Sequence, residues 1–108
     1  MSSRNDAVAA DSTAEIDALL QGWVLDDEQR AALRGRNESP ELQASRVSRL
    51  RTIVGGLYLL FPENPDLRRD WVQRANAALD GRSPVQVILA HEDGLQVVAQ
   101  LIRAQLQQ

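Results

Sequence analysis

The chain lacks several groups that many protein functions require. Its 108 residues contain no cysteine, no lysine and a single histidine. Without cysteine, disulfides, thiolate metal sites and cysteine nucleophiles are excluded. No apolar run approaches the roughly 18–20 residues of a membrane span, and the first twelve residues lack the apolar middle of a signal peptide. These absences predict a soluble, cytoplasmic protein with no membrane partner.

Groups that carry out catalysis are equally scarce. The one histidine, His91, lies in a predicted turn, and no serine stands in a recognisable base motif. Neither a metal-ligand spacing nor a glycine-rich phosphate loop occurs. The GRS segment at 81–83 could hold an anion at a helix N-terminus, but helix capping is the simpler interpretation. The sequence therefore predicts a non-enzymatic protein with no cofactor, no metal and no small-molecule substrate.

The charge distribution leaves nucleic-acid binding open. All 12 basic residues are arginines, yet the formal net charge is −3. Between positions 30 and 51 the only acids are Glu38 and Glu41, so this segment could form a phosphate-binding face. The alternative is a solvated arginine face between acid-rich stretches. The candidate DNA-contacting residues are Arg30, Arg34, Arg36, Arg46, Arg49 and Arg51.

Length and hydrophobic periodicity predict one all-α domain, a compact bundle of about five to six helices around one long central helix. Residues 1–11 are small and polar and are predicted to form a disordered tail. A first helix is expected to open at Ser12, where Glu15 completes a capping box. A second is expected to run from about Asp26 to Gly35, and no strand is predicted.

The central helix is predicted from Pro40 to Phe61. The pair Gly55-Gly56 interrupts its apolar second half, at a cost of about 1 kcal/mol per glycine relative to alanine. Close approach of a neighbouring helix explains this pair, and a kink is the alternative. Because short helices cannot cover so apolar a helix completely, we expect a homodimer.

The C-terminal part of the chain contains two further helix starts. Asn64 and Pro65 open a fourth helix, whose Leu67 and Trp71 are expected to face inward. Ser83, Pro84 and Gln86 form a second capping box that opens a helix ending near Ala90. Its residues Val85, Ile88 and Leu89 are expected to face the core, and a last helix follows over residues 93–106.

An ordered set of residues runs through this part of the chain. A tryptophan is followed by an asparagine, a leucine, a glycine, a Ser-Pro pair and a later glycine: Trp71, Asn76, Leu79, Gly81, Ser83, Pro84 and Gly94. This order resembles the toxin-binding domain of Xre/MbcA/ParS-type antitoxins, over about residues 44–106. Composition and this resemblance together divide the chain into the tail 1–11, an N-terminal helical region 12–43 and a toxin-binding-like domain 44–108.

The sequence departs from the family pattern in two places, and each departure predicts a structural difference. Ala75 and Ala77 stand where members often have prolines, which predicts that the fourth helix runs further. The N-terminal region resembles a helix-turn-helix whose recognition segment is shortened to RNESPELQASR.

The resemblance implies a function without catalytic groups. Members are bacterial antitoxins of type II toxin-antitoxin systems, and their usual partner is a RES-domain toxin that degrades NAD. The antitoxin binds beside or over the active site of the toxin, and the complex often represses its own promoter by binding operator DNA. The toxin-facing residues are expected on the last helix and the tail: Arg103, Gln105, Gln107 and Gln108. A DNA-binding autoregulator and a non-enzymatic adaptor of the same fold are the alternatives.

Overall fold

The computed structural model describes residues 13–35 and 38–108, and over these ranges the chain is helical without strands. The helices are α1 (residues 13–20), α2 (Asp27–Arg34), α3 (Pro40–Leu60), α4 (Pro65–Asp70), α5 (Pro84–Ala90) and α6 (Gly94–Leu106), with 3-10 turns at Trp71–Gln73 and Ala77–Leu79. The all-α prediction is confirmed. The predicted tail, the Ser12 cap and Arg36 lie outside the described residues. None of the described helices is both long and apolar enough to cross a membrane.

Side-chain caps account for the helix starts. Asp26 accepts the backbone N–H of Gln29 at 2.7 Å, and the Gln29 side chain accepts the N–H of Asp26 in return. Ser39 caps α3 and Asn64 caps α4, each followed by a proline at the first helical position. The predicted starts near residues 26, 40 and 65 are confirmed. The reciprocal Asp26–Gln29 box is an additional feature that the sequence analysis did not identify.

The centre of the fold is the packing of α6 along α3. Both helices run in the same direction, since Arg49 shares a groove with Gln96 and Gly56 lies against Ile102. A β-carbon built on Gly56 would overlap the Cγ2 of Ile102, whereas one built on Gly55 would meet nothing within 4 Å. The predicted close helix approach is therefore confirmed for Gly56, while Gly55 is exposed.

The N-terminal helices share this core. Ile16, Leu20 and Leu33 are fully buried together with residues of α3, α5 and α6. The connection between α1 and α2 is hydrogen-bonded to α4. The N–H of Val24 donates to the carbonyl oxygen of Arg69 at 3.2 Å. The Gln73 side chain donates to the carbonyl of Val24 at 2.8 Å. Residues 13–35 consequently pack as part of one globule.

The predicted continuation of α4 is wrong. The helix ends at Asp70, and Arg74 has an extended backbone with φ −87° and ψ 142°. The Asn76 side chain accepts the N–H of Ala78 at 3.0 Å, and its backbone N–H donates to the carbonyl of Arg82 at 3.0 Å. These bonds close a local turn that competes with a helix, so the alanines in place of the family prolines do not lengthen α4.

The predicted inner face of α5 needs one correction. Val85 is buried and Ile88 is half-buried, but Leu89 is 44% exposed and Val87 is buried instead. The reason is that α5 packs against α2, the Trp71–Gln73 turn and α6. Because these neighbours surround α5 on more than one side, they cover both Val85 and Val87, which lie on opposite sides of the helix, and leave Leu89 exposed.

Candidate functional site

Residues 76–84 form a corner of defined backbone geometry, and this corner sets the position of the C-terminal helices α5 and α6. Gly81 has φ +83°, a left-handed value that glycine adopts at little cost. Asp80 precedes it with φ 58°, a second left-handed residue that the sequence analysis did not predict. Ser83 is buried, accepts the N–H of Gln86 at 3.2 Å and donates its own N–H to the Gln86 side chain at 2.9 Å. The predicted capping box is confirmed, and it fixes the start of α5.

The remaining motif residues also have packing roles. Leu79 and Pro84 of the corner are buried, and so is Trp71, which precedes it. Gly94 opens α6 directly against the backbone of α5, because a β-carbon built there would lie 2.6 Å from the Cα of Ile88. The motif therefore holds α6 at one angle, between α5 on one side and α3 on the other.

The four residues predicted to face a toxin lie at the end of α6. Arg103, Gln107 and Gln108 are exposed and Gln105 is half-buried. The N–H groups of Gln107 and Gln108 donate to the carbonyls of Ala104 and Gln105 at 3.3 and 3.4 Å. The last two residues thus continue the helical turn, and the predicted contact residues form one polar end on a rigidly placed helix.

Three of the five described arginines of the predicted DNA-contacting set form ion pairs. Arg34 pairs with Asp17 at 2.8 Å, Arg46 pairs with Glu38 at 2.8 Å, and Arg51 pairs with Glu15. Arg30 and Arg49 form no ion pair with any residue that the structure describes. The structure therefore does not bring the set together as one free basic face. Asp17 and Glu15, the partners of Arg34 and Arg51, lie 17 and 36 positions away in the sequence, so local spacing does not predict these ion pairs.

Two adjoining grooves lie along α3, the smaller between α3 and α6 and the larger between α3, α5 and the α5–α6 connection. The smaller, of about 240 Å³, has only small, amide and arginine side chains as its lining: Ser45, Ser48, Arg49, Gln96, Ala99, Gln100 and Arg103. The larger, of about 440 Å³, shares Arg49 and Gln96 with it and extends to Leu42 and Leu89. Sequence reasoning missed this surface, because it arises only where two helices that are distant in the chain lie side by side.

An exposed apolar end of α3 lies elsewhere on the molecule. Tyr58 is 57% and Leu59 is 72% exposed, so the other described helices leave this part of α3 uncovered, as predicted. The Arg68 guanidinium lies 4.3 Å from the centroid of the Tyr58 ring, a cation–π contact.

Comparison with known proteins agrees with this geometry. A family model described as the antitoxin Xre/MbcA/ParS C-terminal toxin-binding domain matches residues 48–106, which is more than half of the chain. The matched segment runs from within α3 to the end of α6 and includes the whole corner. No curated protein and no solved structure gives a match.

Proposed function

This chain belongs to the antitoxin Xre/MbcA/ParS family through its toxin-binding domain, and from that premise we propose that it neutralises a RES-type, NAD-degrading toxin by covering the active site. Membership of the family supports an antitoxin role with a toxin as partner and a non-enzymatic mode of action. The RES identity of the toxin and the blocking mechanism are the proposal.

The observation that carries the proposal is the combination of the family match with a rigidly held, exposed end of α6. Gly94 against α5 and Gly56 against Ile102 fix the helix at both ends. A preorganised element loses little conformational freedom on binding, so more of its contact energy appears as affinity. Arg103 and the glutamines beyond it are proposed to enter the toxin cleft and exclude NAD.

Co-expression with the adjacent gene tests this function. We expect the neighbouring product alone to arrest growth and deplete cellular NAD, and we expect this chain to restore both and to co-purify with it. Growth arrest that this chain does not relieve would contradict neutralisation. Co-purification without relief would favour the adaptor alternative, and relief without any earlier loss of NAD would contradict a RES-type toxin.

Autoregulation through operator DNA is the second candidate. It is supported by Arg30 and Arg49, the two arginines of the predicted DNA-contacting set that are described and form no ion pair with a described residue. An electrophoretic shift on the DNA upstream of the gene, measured over a salt series, tests it. A shift that weakens steeply with salt is expected for phosphate contacts, and no shift at low salt would contradict it.

A further inference from the structure

The smaller groove between α3 and α6 is lined by hydrogen-bond donors and by no acidic side chain. Its lining contains two guanidinium groups, two hydroxyls and two primary amides, and no carboxylate. All these polar groups can donate hydrogen bonds. Guanidinium groups bind carboxylates and phosphates through short, charge-assisted hydrogen bonds that are about twice as strong as neutral ones. The lining is therefore suited to an anionic group.

The two arginines of this groove are unpaired among the described residues, unlike several other arginines of the chain. Arg49 from α3 and Arg103 from α6 form no ion pair and no side-chain hydrogen bond with any described residue. Arg34 and Arg46 each hold a carboxylate at 2.8 Å. Because the chain carries a net charge of −3, carboxylates are plentiful, and the groove is nevertheless free of them.

The larger groove extends this surface toward an apolar end. Leu42 and Leu89, which line it from α3 and α5, are 55% and 44% exposed. Leu42 and Arg49 are separated by about 10 Å of α3 at 1.5 Å per residue. Arg46 between them is neutralised by Glu38. The acids Glu92 and Asp93, together with His91, also line the larger groove and are absent from the smaller one.

We propose that this α3–α6 surface binds an acidic segment of the toxin, with its carboxylates on Arg49 and Arg103 and an apolar side chain between Leu42 and Leu89. The inference rests on the proposed function, since it assumes that a toxin is the partner. It places a second contact along the side of α6, which shares Arg103 with the polar end of that helix and adds Arg49 of α3.

A protein segment fits the surface better than nucleic acid. Nucleic-acid affinity comes from many simultaneous phosphate contacts, and this groove offers two free arginines on a chain of net charge −3. The exposed Leu42 and Leu89 next to it are suited to an apolar side chain and not to a phosphate. Since Gly56 packs tightly on Ile102, the two walls of the groove are held together before any partner binds.

Arginine variants test the inference with the purified product of the adjacent gene as the probe. Arg49→Gln is the decisive variant because Arg49 lies outside α6, and Arg103→Gln is its companion. Arg74→Gln is the matched control, since Arg74 is exposed, lines neither groove and has no side-chain partner among the described residues. Calorimetric titrations in about 50 to about 500 mM NaCl measure affinity and its screening. Circular dichroism confirms that each variant is folded.

The expected result is a Kd raised about tenfold by each groove variant and about a hundredfold by both, with a weaker salt dependence in the double variant. Arg74→Gln is expected to change Kd less than twofold. Leu42→Ser is expected to weaken binding equally at all salt concentrations.

Each other outcome overturns the inference in a distinguishable way. If wild-type protein binds and Arg49→Gln binds as tightly, the groove is not the contact and the proposed function survives. If wild-type protein does not bind the probe, the proposed function fails and this inference fails with it. If the groove variants lose only an operator DNA shift, or only self-association, while toxin binding is unchanged, the occupant is nucleic acid or a second copy of the chain.

Discussion

Gly56 of α3 lies directly against Ile102 of α6, so that a β-carbon added to the glycine would overlap the Cγ2 methyl of a fully buried isoleucine. The contact joins two helices that are far apart in the sequence, and it determines how close the proposed toxin-binding helix lies to the central helix.

Gly56→Ala is expected to destabilise the protein despite the higher helix propensity of alanine. Alanine contributes up to about 1 kcal/mol in a helix interior, but overpacking of a rigid core costs about 1–3 kcal/mol. Gly55→Ala is the matched control and is expected to stabilise, because its position is exposed and open. Urea denaturation measures both free energies of unfolding. Equal effects of the two substitutions would contradict the close packing.

Ser83→Ala is expected to lower the free energy of unfolding by about 1–2 kcal/mol through loss of the cap. The Ser83 side chain accepts the N–H of Gln86, and both residues lie in one reciprocal box. Ser39→Ala, at an exposed cap without a reciprocal partner, is expected to cost less. Thermal denaturation followed by circular dichroism compares the two. A smaller loss at Ser83 than at Ser39 would show that the corner is not specially stabilised.

Removal of the polar end of α6 is expected to weaken the toxin complex without unfolding the chain. The deletion should be confined to residues 107–108, since a truncation after Leu101 would also remove Ile102 from the core. Combined with Gln105→Ala it is expected to raise Kd about tenfold, which corresponds to about 1.4 kcal/mol. Gln21→Ala, at an exposed glutamine of the α1–α2 connection, is the control. Unchanged affinity in a pull-down titration would rule out the end of α6 as the contact.

Self-association is expected through the exposed end of α3. Leu59 is 72% exposed, and burying such a side chain in a partner contributes about 1.5–3 kcal/mol. Light scattering should give twice the 12.0 kDa of one chain for wild type. Leu59→Asp should give a single chain, and Leu42→Asp should leave the dimer intact. A 12.0 kDa particle at high concentration of the wild type would contradict the homodimer.

Local signals in the sequence were reliable because they act over three or four residues. Ser83 and Gln86 predict their own capping box, and Pro40 and Pro65 mark helix starts at which the missing N–H costs nothing. The recurrence of apolar residues identified α3, and the order of residues through the corner identified the family. The Asp26–Gln29 box has the same local character, and its spacing could have revealed it.

Features that depend on distant neighbours were predicted poorly. α4 was expected to continue because nothing local stops it at Asp70, whereas the turn around Asn76 is completed by the carbonyl of Arg82 on the return path. Leu89 was expected inside on periodicity alone, and its exposure follows from which elements surround α5.

The sequence by itself determined where most helices start, the corner and the family, since backbone propensity and short-range hydrogen bonds are encoded within a few residues. The tertiary structure alone decided that Gly56 and not Gly55 is the contact glycine, and that Arg34, Arg46 and Arg51 hold carboxylates. It alone placed Arg49 beside Arg103 in one groove. The physical reason is that side-chain packing and ion pairing depend on which residues meet in space, and that follows only once the helices have packed.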